Sequence, residues 1–318
     1  QLDVFSGPEA EYERSHLQLL FGEMPQGWIH FESRLLVPGR IKPPRNFKEP
    51  RWNGEPFPGG TLLVHYEQGF GDTLMFLRYL PLVKARGGRV ILMVQPLLVD
   101  VAATCQGADC VVPDGLEVPP FDLQVSLMSL PSVFRTGMAT IPSEVPYLDV
   151  PSRVPNRARI SEVLALLEQG TRIGIVWAGN PNHKQDAARS IPAEAFRPLG
   201  GLPNVFWHSF QLDRSELPPL RNLVPMAPLL GSFADTAYAL SGMDLVITVD
   251  TALAHLAGAM GIPTLLLLPF HPDFRWMLHR EDSPWYPTLK IYRQPSPGDW
   301  ASVVQRVLMD LGGGQAGL

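Results

Sequence analysis

The chain has 318 residues, 45% of them hydrophobic and 18% charged, which is typical of a globular protein long enough for two domains. Its formal net charge of -5 gives no basic footprint, so nucleic acid is excluded as a default partner. The two cysteines, Cys105 and Cys110, exclude a disulfide framework and have no metal-ligand cluster around them, so we expect a reduced, cytoplasmic protein.

The first segment, residues 1–38, has a helical pattern. Residues 9–36 predict two short amphipathic helices, joined by a turn from Gly22 to Gly27. The next stretch, residues 39–58, is rich in proline and basic residues and has no hydrophobic period. We interpret it as a linker or an extended strap.

The pattern changes at Thr61, where four short runs of β-branched and aliphatic residues begin. The runs lie at residues 61–66, 89–94, 109–113 and 122–128. Because they are continuous rather than alternating, they predict a parallel sheet covered on both faces. Helices are predicted at 72–86, with a kink or break at Pro81, and at 97–105. We assign residues 59–152 to a first domain.

The second half repeats this pattern and forms a second domain, residues 153–298. Strands are predicted at 172–178, 205–210, 245–250 and 264–269, and helices at 193–199, 233–243 and 251–260. Residues 141–158 are rich in proline and predict the hinge. The last segment, residues 299–318, should contain a final helix at 300–311 and a disordered tail at 312–318. The fold class is therefore α/β, with two doubly wound domains facing a cleft.

Three strand ends are candidates for ligand sites. In open α/β sheets, ligands bind outside the carboxyl ends of the strands. The ends in question are at Tyr66, Ala178 and Asp250, and each is followed by polar residues.

The loop after the first strand reads EQGFGDT and brings Asp72 to the start of a predicted helix. Gly69 and Gly71 permit a positive φ or a close backbone approach. Asp72 has two interpretations, as a carboxylate that caps the helix or as a general base that faces the cleft. Dinucleotide binding is rejected here, because the third glycine of the fingerprint is missing and the acid would repel phosphate.

The strand at 245–250 runs straight into a helix of small residues, VDTALAHLAGAMGIP. A helix start presents free N–H groups that suit a phosphate, and Thr251 adds a hydroxyl donor. His255 lies on the same helix face as Thr251 and is either a structural histidine or a ligand contact. We expect Asp250 to cap the helix or to orient Thr251 and His255.

The loop WAGNPNHKQDAARSIP carries Asn180, His183, Lys184 and Arg189. It is interpreted either as a solvated surface loop or as a clamp for phosphate charge. Residues 271–287 are aromatic and charged, and predict a recognition loop or an irregular, self-packed surface. The sequence has no G-x-S-x-G elbow, no Walker loop and no metal-ligand spacing, so we expect no metal.

Three of these elements together resemble glycosyltransferase family 9, the lipopolysaccharide heptosyltransferase-like proteins. They are GD after the first strand, WAGNP with RSIP downstream, and VDTALAHLAGAMGIP, in the family's order. The resemblance covers Thr61 to Leu311, and DTALAH is its most specific element. Residues 19–35, LLFGEMPQGWIHFESRL, are similar to the last repeat in the branch that follows tetratricopeptide repeats.

The resemblance implies a GT-B architecture of two Rossmann-like domains, with the acceptor bound by the first and the nucleotide-sugar donor mainly by the second. It implies a final helix that crosses back to the first domain, and transfer without a metal or cofactor. By the family's pattern, Asp72 is the general base, and Arg189 replaces a diphosphate-binding lysine. The stretch that contacts the donor diphosphate is matched by Thr251, Ala252, Leu253 and His255, with Ala252 in place of the family's usual glycine.

We therefore expect an enzyme that moves a sugar from a nucleotide-diphosphate sugar to an acceptor hydroxyl on a glycan or protein. Gly69, Gly71, Asn180 and Asp250 would shape its site. Two alternatives stay open, a non-catalytic module that binds a nucleotide or protein and a nucleotide-sugar epimerase. Helical repeats upstream would favour a protein or peptide acceptor, and the expected location is the cytoplasm, including the inner membrane surface.

Overall fold

The computed structural model describes residues 6–165, 170–182, 186–214 and 216–312. The chain divides into two units. The first unit contains Gln1–Ser143 and Asp273–His279, and the second contains Glu144–Pro272 and Arg280–Leu318. The predicted tail lies outside the described residues apart from Gly312, which ends a helix.

The chain begins with two antiparallel neighbours, α1 (Pro8–Leu20) and α2 (Met24–Phe31), followed by a 3₁₀ turn. The predicted turn at Gly22–Gly27 is too long, because Pro25 starts α2 and Gly27 lies inside it. Packing explains the glycine at position 27, because a Cβ there would lie 2.8 Å from a side-chain carbon of Leu19. The glycine therefore allows close helix contact rather than a turn.

The sheet of the first unit has four parallel strands in the order β3-β2-β1-β4. In one of its two interior strands, Thr61–His65, the side chains of Leu62, Leu63 and Val64 have no exposed surface. A continuous apolar strand is what a sheet covered on both faces requires. The strands are β1 (Thr61–His65), β2 (Arg89–Val94), β3 (Cys110–Pro113) and β4 (Leu123–Ser126).

The helices of this unit are shorter than predicted. The helix expected at 72–86 is divided by a 3₁₀ turn, Leu77–Tyr79, and Pro81 follows in the first turn of the next helix. Proline is favoured at that position because its missing N–H has no partner there to lose. The helices are α3 (Phe70–Phe76), α4 (Leu80–Lys84), α5 (Val99–Ala102) and α6 (Leu130–Val133).

The proline-rich stretch at 39–58 is attached to the sheet. Arg51 forms a parallel bridge to Gln124 on β4, and the N–H of Trp52 donates to the carbonyl of Gln124 at 2.9 Å. The Trp52 side chain is buried. The strap interpretation therefore describes this part of the stretch better than a free linker does.

The sheet of the second unit has six parallel strands in the order β10-β9-β8-β5-β6-β7. Counted within the unit, this is the doubly wound order 6-5-4-1-2-3 of dinucleotide-binding folds. β7 and β10 were not predicted. The strands are β5 (Thr171–Val176), β6 (Val205–Ser209), β7 (Val224–Pro225), β8 (Leu245–Val249), β9 (Thr264–Leu268) and β10 (Leu289–Arg293).

The helices of the second unit cover this sheet. Where an α-helix was predicted at 193–199, the chain forms a 3₁₀ helix, Ala193–Gly201, because Pro198 inside it removes an α-helical hydrogen bond. A helix at the end of the predicted hinge was not foreseen. The helices are α7 (Arg157–Ala165), α8 (Asp186–Arg189), α9 (Phe233–Leu240), α10 (Ala252–Ala259) and α11 (Trp300–Gly312).

A short segment of the later chain, Asp273–His279, belongs to the first unit. We call it the return segment. Its Phe274 ring contacts the rings of Trp28 at 6.0 Å and Phe31 at 5.8 Å between centroids. The N–H of Leu278 donates to the carbonyl of Leu20 at 3.2 Å. Aromatic packing and a backbone hydrogen bond thus fasten the return segment to α1 and α2.

The predicted fold class, α/β with parallel sheets, is confirmed. Within the part of the chain that the structure describes, no helix combines the length and apolar character that crossing a bilayer would demand.

Candidate functional site

Asp72 lies in the first turn of α3, beside the carboxyl end of β1. Its Oδ2 accepts the N–H of Gly69, the residue before the helix, at 2.9 Å. This is the carboxylate half of a capping box, and it satisfies an N–H that the helix cannot. The capping role of Asp72 is therefore real, whatever else the carboxylate does.

The second oxygen of Asp72 has a charged partner from the return segment. Oδ1 accepts from Nη2 of Arg275, whose Nη1 donates to Oδ1 of Asp273 at 2.7 Å. The side chains of Asp72 and Arg275 are 19% and 11% exposed, respectively. An arginine between two partly buried carboxylates makes charge-assisted bonds, which are stronger than neutral ones.

The pKa of the Asp72 carboxyl is raised, and its burial is the main cause. The Arg275 guanidinium and the Gly69 N–H oppose this rise, whereas the carboxylates of Asp273 and Glu67 add to it. A raised pKa increases the proton affinity of a carboxylate, as a general base requires.

Neither Gly69 nor Gly71 has the positive φ that the sequence allowed. Gly69 has a φ of -84° and precedes α3, while Gly71 lies inside the helix. The left-handed residue of this loop is Gln68, with a φ of 68°. Gly69 instead leaves room for the carboxylate, since a Cβ there would lie 3.3 Å from Oδ2 of Asp72.

The switch point of the first sheet, between β1 and β4, is filled by a side chain of the protein itself. Arg34 donates to both carboxylate oxygens of Glu67, at 2.8 and 3.0 Å, and to Ser129 Oγ at 2.8 Å. Ser126, at the end of β4, donates to Glu67 at 2.7 Å. The side chains of Arg34 and Glu67 are 0% and 1% exposed. This bidentate pair ties the 3₁₀ turn after α2 to the loop that leads to Asp72.

The switch point of the second sheet, between β5 and β8, holds Arg189. Its Nη1 donates to the carbonyl of Asp250, at the carboxyl end of β8, at 2.9 Å. Its Nε is buried and has no hydrogen-bond partner among the described residues. The structure therefore brings two predicted residues, Arg189 and Asp250, together at the position where such sheets bind ligands.

Asp186 and Arg214 extend this cluster, and sequence reasoning assigned neither of them. Arg214 donates to Oδ2 of Asp186 at 2.6 Å, and Arg189 lies 3.7 Å from Oδ1 of the same carboxylate. A Cβ on Gly179 would lie 2.5 Å from the Arg189 guanidinium, so a larger residue there would require the Arg189 side chain to move. The only sequence signal for these contacts was the density of charge in the loop.

Thr251, not Asp250, is the residue that precedes α10, which corrects the expected cap. The Thr251 side chain makes no capping bond, and its Oγ1 lies 3.4 Å from Oγ1 of Thr248. Ala252 opens the helix and Leu253 is buried behind it. Thr251 therefore does not cap the first turn of α10. The N–H groups of that turn are not used by the Thr251 side chain, and N–H groups of this kind can bind an anion.

His255 is buried in α10, with its Nδ1 2.9 Å from the hydroxyl of Tyr286. The same tyrosine ring packs on Gly258, where a Cβ would lie 2.5 Å from it. This geometry fits the structural interpretation of His255. A contact with a ligand stays a prediction.

The remaining predicted residues contribute less. Asn180 is exposed, and its side chain accepts the N–H of Asn182 at 2.9 Å, which stabilises a turn. His183 and Lys184 lie outside the described residues. Over the described ranges, no group of three or more His, Cys, Asp or Glu side chains could hold a metal ion.

Residues 214–294 match the family model Glycosyltransferase family 9 (heptosyltransferase). The resemblance to glycosyltransferase family 9 is confirmed for this segment. The matched segment contains β8, α10 and the return segment. The finer resemblance to the tetratricopeptide-linked branch stays a prediction.

A curated relative is the protein FlbA of Caulobacter vibrioides, with 27% identity over 93% of this chain and 54% of FlbA. The chain therefore spans about half the length of the curated relative it matches.

Solved structures of transferases have a similar fold. The family 9 glycosyl transferase of Veillonella parvula has a TM-score of 0.55 and 11% identity, over 79% of this chain and 92% of its own. Escherichia coli ADP-heptose LPS heptosyltransferase II has a TM-score of 0.55 and 12% identity, over 80% of this chain and 98% of its own. E. coli heptosyltransferase WaaC with ADP has a TM-score of 0.53 and 15% identity, over 79% of this chain and 99% of its own. These likenesses show a shared fold.

Proposed function

We propose that this protein is a metal-independent glycosyltransferase that moves a sugar from a nucleotide-diphosphate sugar to an acceptor hydroxyl, with Asp72 as the general base. The observation that carries the proposal is the position of Asp72: a largely buried carboxylate beside the carboxyl end of the central strand, in a fold shared with family 9 enzymes. The first unit would bind the acceptor and the second the donor. The nucleotide sugar is a substrate, so no cofactor is needed.

The chemistry divides between the two units. Asp72 takes the proton of the acceptor hydroxyl as its oxygen attacks the anomeric carbon. The bond from that carbon to the diphosphate breaks, and the diphosphate leaves with added negative charge. Arg189 and the first turn of α10 supply positive charge and N–H donors, which stabilise the leaving group. Thr251 adds a hydroxyl, while Ala252 and Leu253 line the same turn. Lys184 and His255 are assigned to the diphosphate by resemblance.

The donor proposed first is an ADP-sugar, because two of the similar structures are named for ADP-heptose or contain ADP. Thermal shifts with ADP-, GDP-, UDP- and CDP-sugars would identify the base, since a ligand that prefers the native state raises its stability. The acceptor is a hydroxyl on a glycan or protein. Upstream helical repeats and a place at the inner membrane surface remain parts of the proposal.

Asp72→Asn tests the base directly. Asparagine keeps one oxygen that can accept the Gly69 N–H but loses the charge that pairs with Arg275, so the melting temperature should fall somewhat, while transfer or donor hydrolysis falls by about 100-fold or more. Release of nucleoside diphosphate, together with the melting temperature, measures both effects. If the variant keeps wild-type turnover, Asp72 is not the base.

A non-catalytic nucleotide-binding module is the second candidate. It is favoured by one observation: both carboxylate oxygens of Asp72 already have protein donors, as they would in a purely structural acid. A wild-type protein that binds nucleoside diphosphates but turns over none of the donors would support it. Product analysis without acceptor separates a transferase from an epimerase.

A further inference from the structure

Arg275 occupies a fixed place between two carboxylates of the first unit. It donates to Asp72 through Nη2 and to Asp273 through Nη1. Its guanidinium carbon lies 4.4 Å from the centroid of the Phe274 ring. Arginine presents its donors in a rigid planar fork, so two carboxylates and a ring together fix its orientation.

The N-terminal helices hold this arginine in place. The Phe274 ring, next to Arg275 in the chain, is 5% exposed and makes an edge contact with His16 at 5.2 Å and with Trp28 at 6.0 Å. Trp28 also contacts Phe76, at the far end of α3, at 6.0 Å. The same small aromatic cluster thus supports both the arginine and the helix that begins at Asp72.

We propose that Arg275 is a positioning residue for Asp72, which it holds by one carboxylate oxygen while the Gly69 N–H holds the other. The proposal rests on the proposed role of Asp72 as the base. Two donors from different directions fix the plane of the carboxylate. Each oxygen keeps one further lone pair, so the acceptor hydroxyl can still donate to Asp72. The aromatic cluster of the N-terminal helices serves the site by fixing the return segment.

The charges around Asp72 determine in which direction its pKa should move when a neighbour is replaced. Arg275 favours the ionised carboxylate, whereas Asp273 and Glu67 disfavour it. Glu67 is itself paired with Arg34. Loss of Arg275 should therefore raise the pKa of Asp72, and loss of the Asp273 charge should lower it.

The first experiment measures the titration of Asp72 by carbon-13 NMR of the aspartate carboxyl groups, with Asp72→Asn for assignment. In Arg275→Gln the pKa of Asp72 should rise by about 1 to 3 units, because a neighbouring arginine lowers a carboxyl by that amount. Asp273→Asn keeps a side chain that can cap the 3₁₀ turn of the return segment, and it should lower the pKa of Asp72. Arg275→Lys keeps the charge without the fork and should give a smaller rise.

The matched control is Arg280→Gln. Arg280 also pairs with carboxylate oxygens, here the two of Asp282 at 2.9 and 2.7 Å, and it lies outside the first unit. This change should leave the titration of Asp72 unaltered. A folded Arg275→Gln protein with an unchanged Asp72 titration would overturn the proposal. If Arg275→Gln does not fold, the opposite signs expected for Asp273→Asn and Arg275→Lys decide it.

The second experiment follows ADP release from ADP-heptose against pH in the same variants. The acidic limb of kcat/KM reports the base in the free enzyme, so Arg275→Gln should move it to higher pH and lower kcat with little change in KM for the donor. A merely structural role would lower the active fraction without moving the limb. If the NMR shifts occur but the wild type turns over no donor, the transferase proposal fails and the positioning contact stands.

Discussion

At the residue scale, Arg189 is the group best placed to meet an anion. From α8 its Nη1 donates to the carbonyl of Asp250, at the carboxyl end of β8, and its buried Nε has no hydrogen-bond partner among the described residues. A buried donor without a partner is costly, and a phosphate oxygen would remove that cost. A carboxylate near this Nε is that of Asp186, whose Oδ1 lies 3.7 Å away, within ion-pair distance but beyond hydrogen-bond distance.

Arg189→Ala should weaken binding of ADP but not of adenosine. The expected loss is about 1.5–3 kcal/mol, roughly 10- to 100-fold in Kd, because hydrogen bonds to charged groups are worth about that much. Titration calorimetry with ADP and with adenosine measures both affinities. Thr251→Val should give a smaller loss of the same kind, about 1 kcal/mol.

Arg197→Ala is the control for this prediction, because Arg197 is largely exposed and pairs only with the exposed Glu194 among the described residues. It should change neither affinity. Equal losses for ADP and adenosine in Arg189→Ala would contradict the phosphate role.

The contacts of Asp72 show what a local pattern can reveal. The tetrapeptide GFGD predicts its capping role, because Asp is a favoured residue in the first turn of a helix. Its ion pair with Arg275 joins residues 203 positions apart. Residues 271–287 were flagged as aromatic and charged, yet no spacing rule connects them to Asp72. Long-range pairing of this kind depends on the folded chain.

At the element scale, the buried Arg34–Glu67 pair links the 3₁₀ turn after α2 to the loop after β1. Arg34→Met should destabilise the first unit by about 3–5 kcal/mol, because it leaves a buried carboxylate without its partner. Arg34→Met with Glu67→Leu should recover most of the loss, since apolar replacements of buried pairs are often neutral. Urea unfolding followed by tryptophan fluorescence measures the difference.

The control for that pair is Arg40→Met. Arg40 pairs with the exposed Glu9 and Glu13, and its side chain is 39% exposed. Surface pairs contribute at most about 1 kcal/mol, so this change should be small. A loss in Arg34→Met no larger than in Arg40→Met would show that the buried pair does not fasten the segment.

His65, in β1, should make the first unit sensitive to mild acid. Burial lowers the pKa of His65 to about 4, below the usual 6.5. Its contribution to stability is therefore complete above pH 6.5 and is lost as the pH falls towards 4. Between pH 7 and pH 5 the loss should be about 2 kcal/mol. Urea unfolding at both values should show a smaller loss in His65→Gln, and an equal loss would exclude this cause.

Elements were predictable where the local signal was strong. Continuous apolar runs such as TLLVH and LVITV marked β1 and β8, because a strand covered on both faces needs nothing else. β7 has two residues, too few for any pattern, and β10 has a charged Lys290 within it. The 3₁₀ helix at Ala193–Gly201 had a helical pattern that Pro198 altered.

At the scale of the whole molecule, the two units should respond differently to a nucleotide. ADP bound at 100 times its Kd should stabilise the second unit by about 2.7 kcal/mol. Hydrogen exchange should slow for amides of β5 and β8 that exchange through opening of the whole unit. Mass spectrometry of the exchanged peptides would show it. Protection greater in β1 and β2 than in β5 and β8 would contradict donor binding by the second unit.

The division into two parallel sheets was predictable, because the strand and helix pattern simply repeats along the chain. The return segment was not. Asp273–His279 follows β9 and precedes β10 of the second sheet, yet it packs with the first unit. Its membership is decided by contacts with α1 and α2, more than 230 positions earlier by the sequence numbering. No local pattern contains that information.

The buried Arg34–Glu67 pair also limits how this protein can change over time. A single replacement at either position passes through a state with one buried charge left without its main partner, and that state is poorly stable. Substitutions at the two positions are therefore tolerated only when they occur together or in close succession. Among relatives that share this fold and the preceding helices, we expect positions 34 and 67 to covary, with the arginine absent wherever the glutamate is absent.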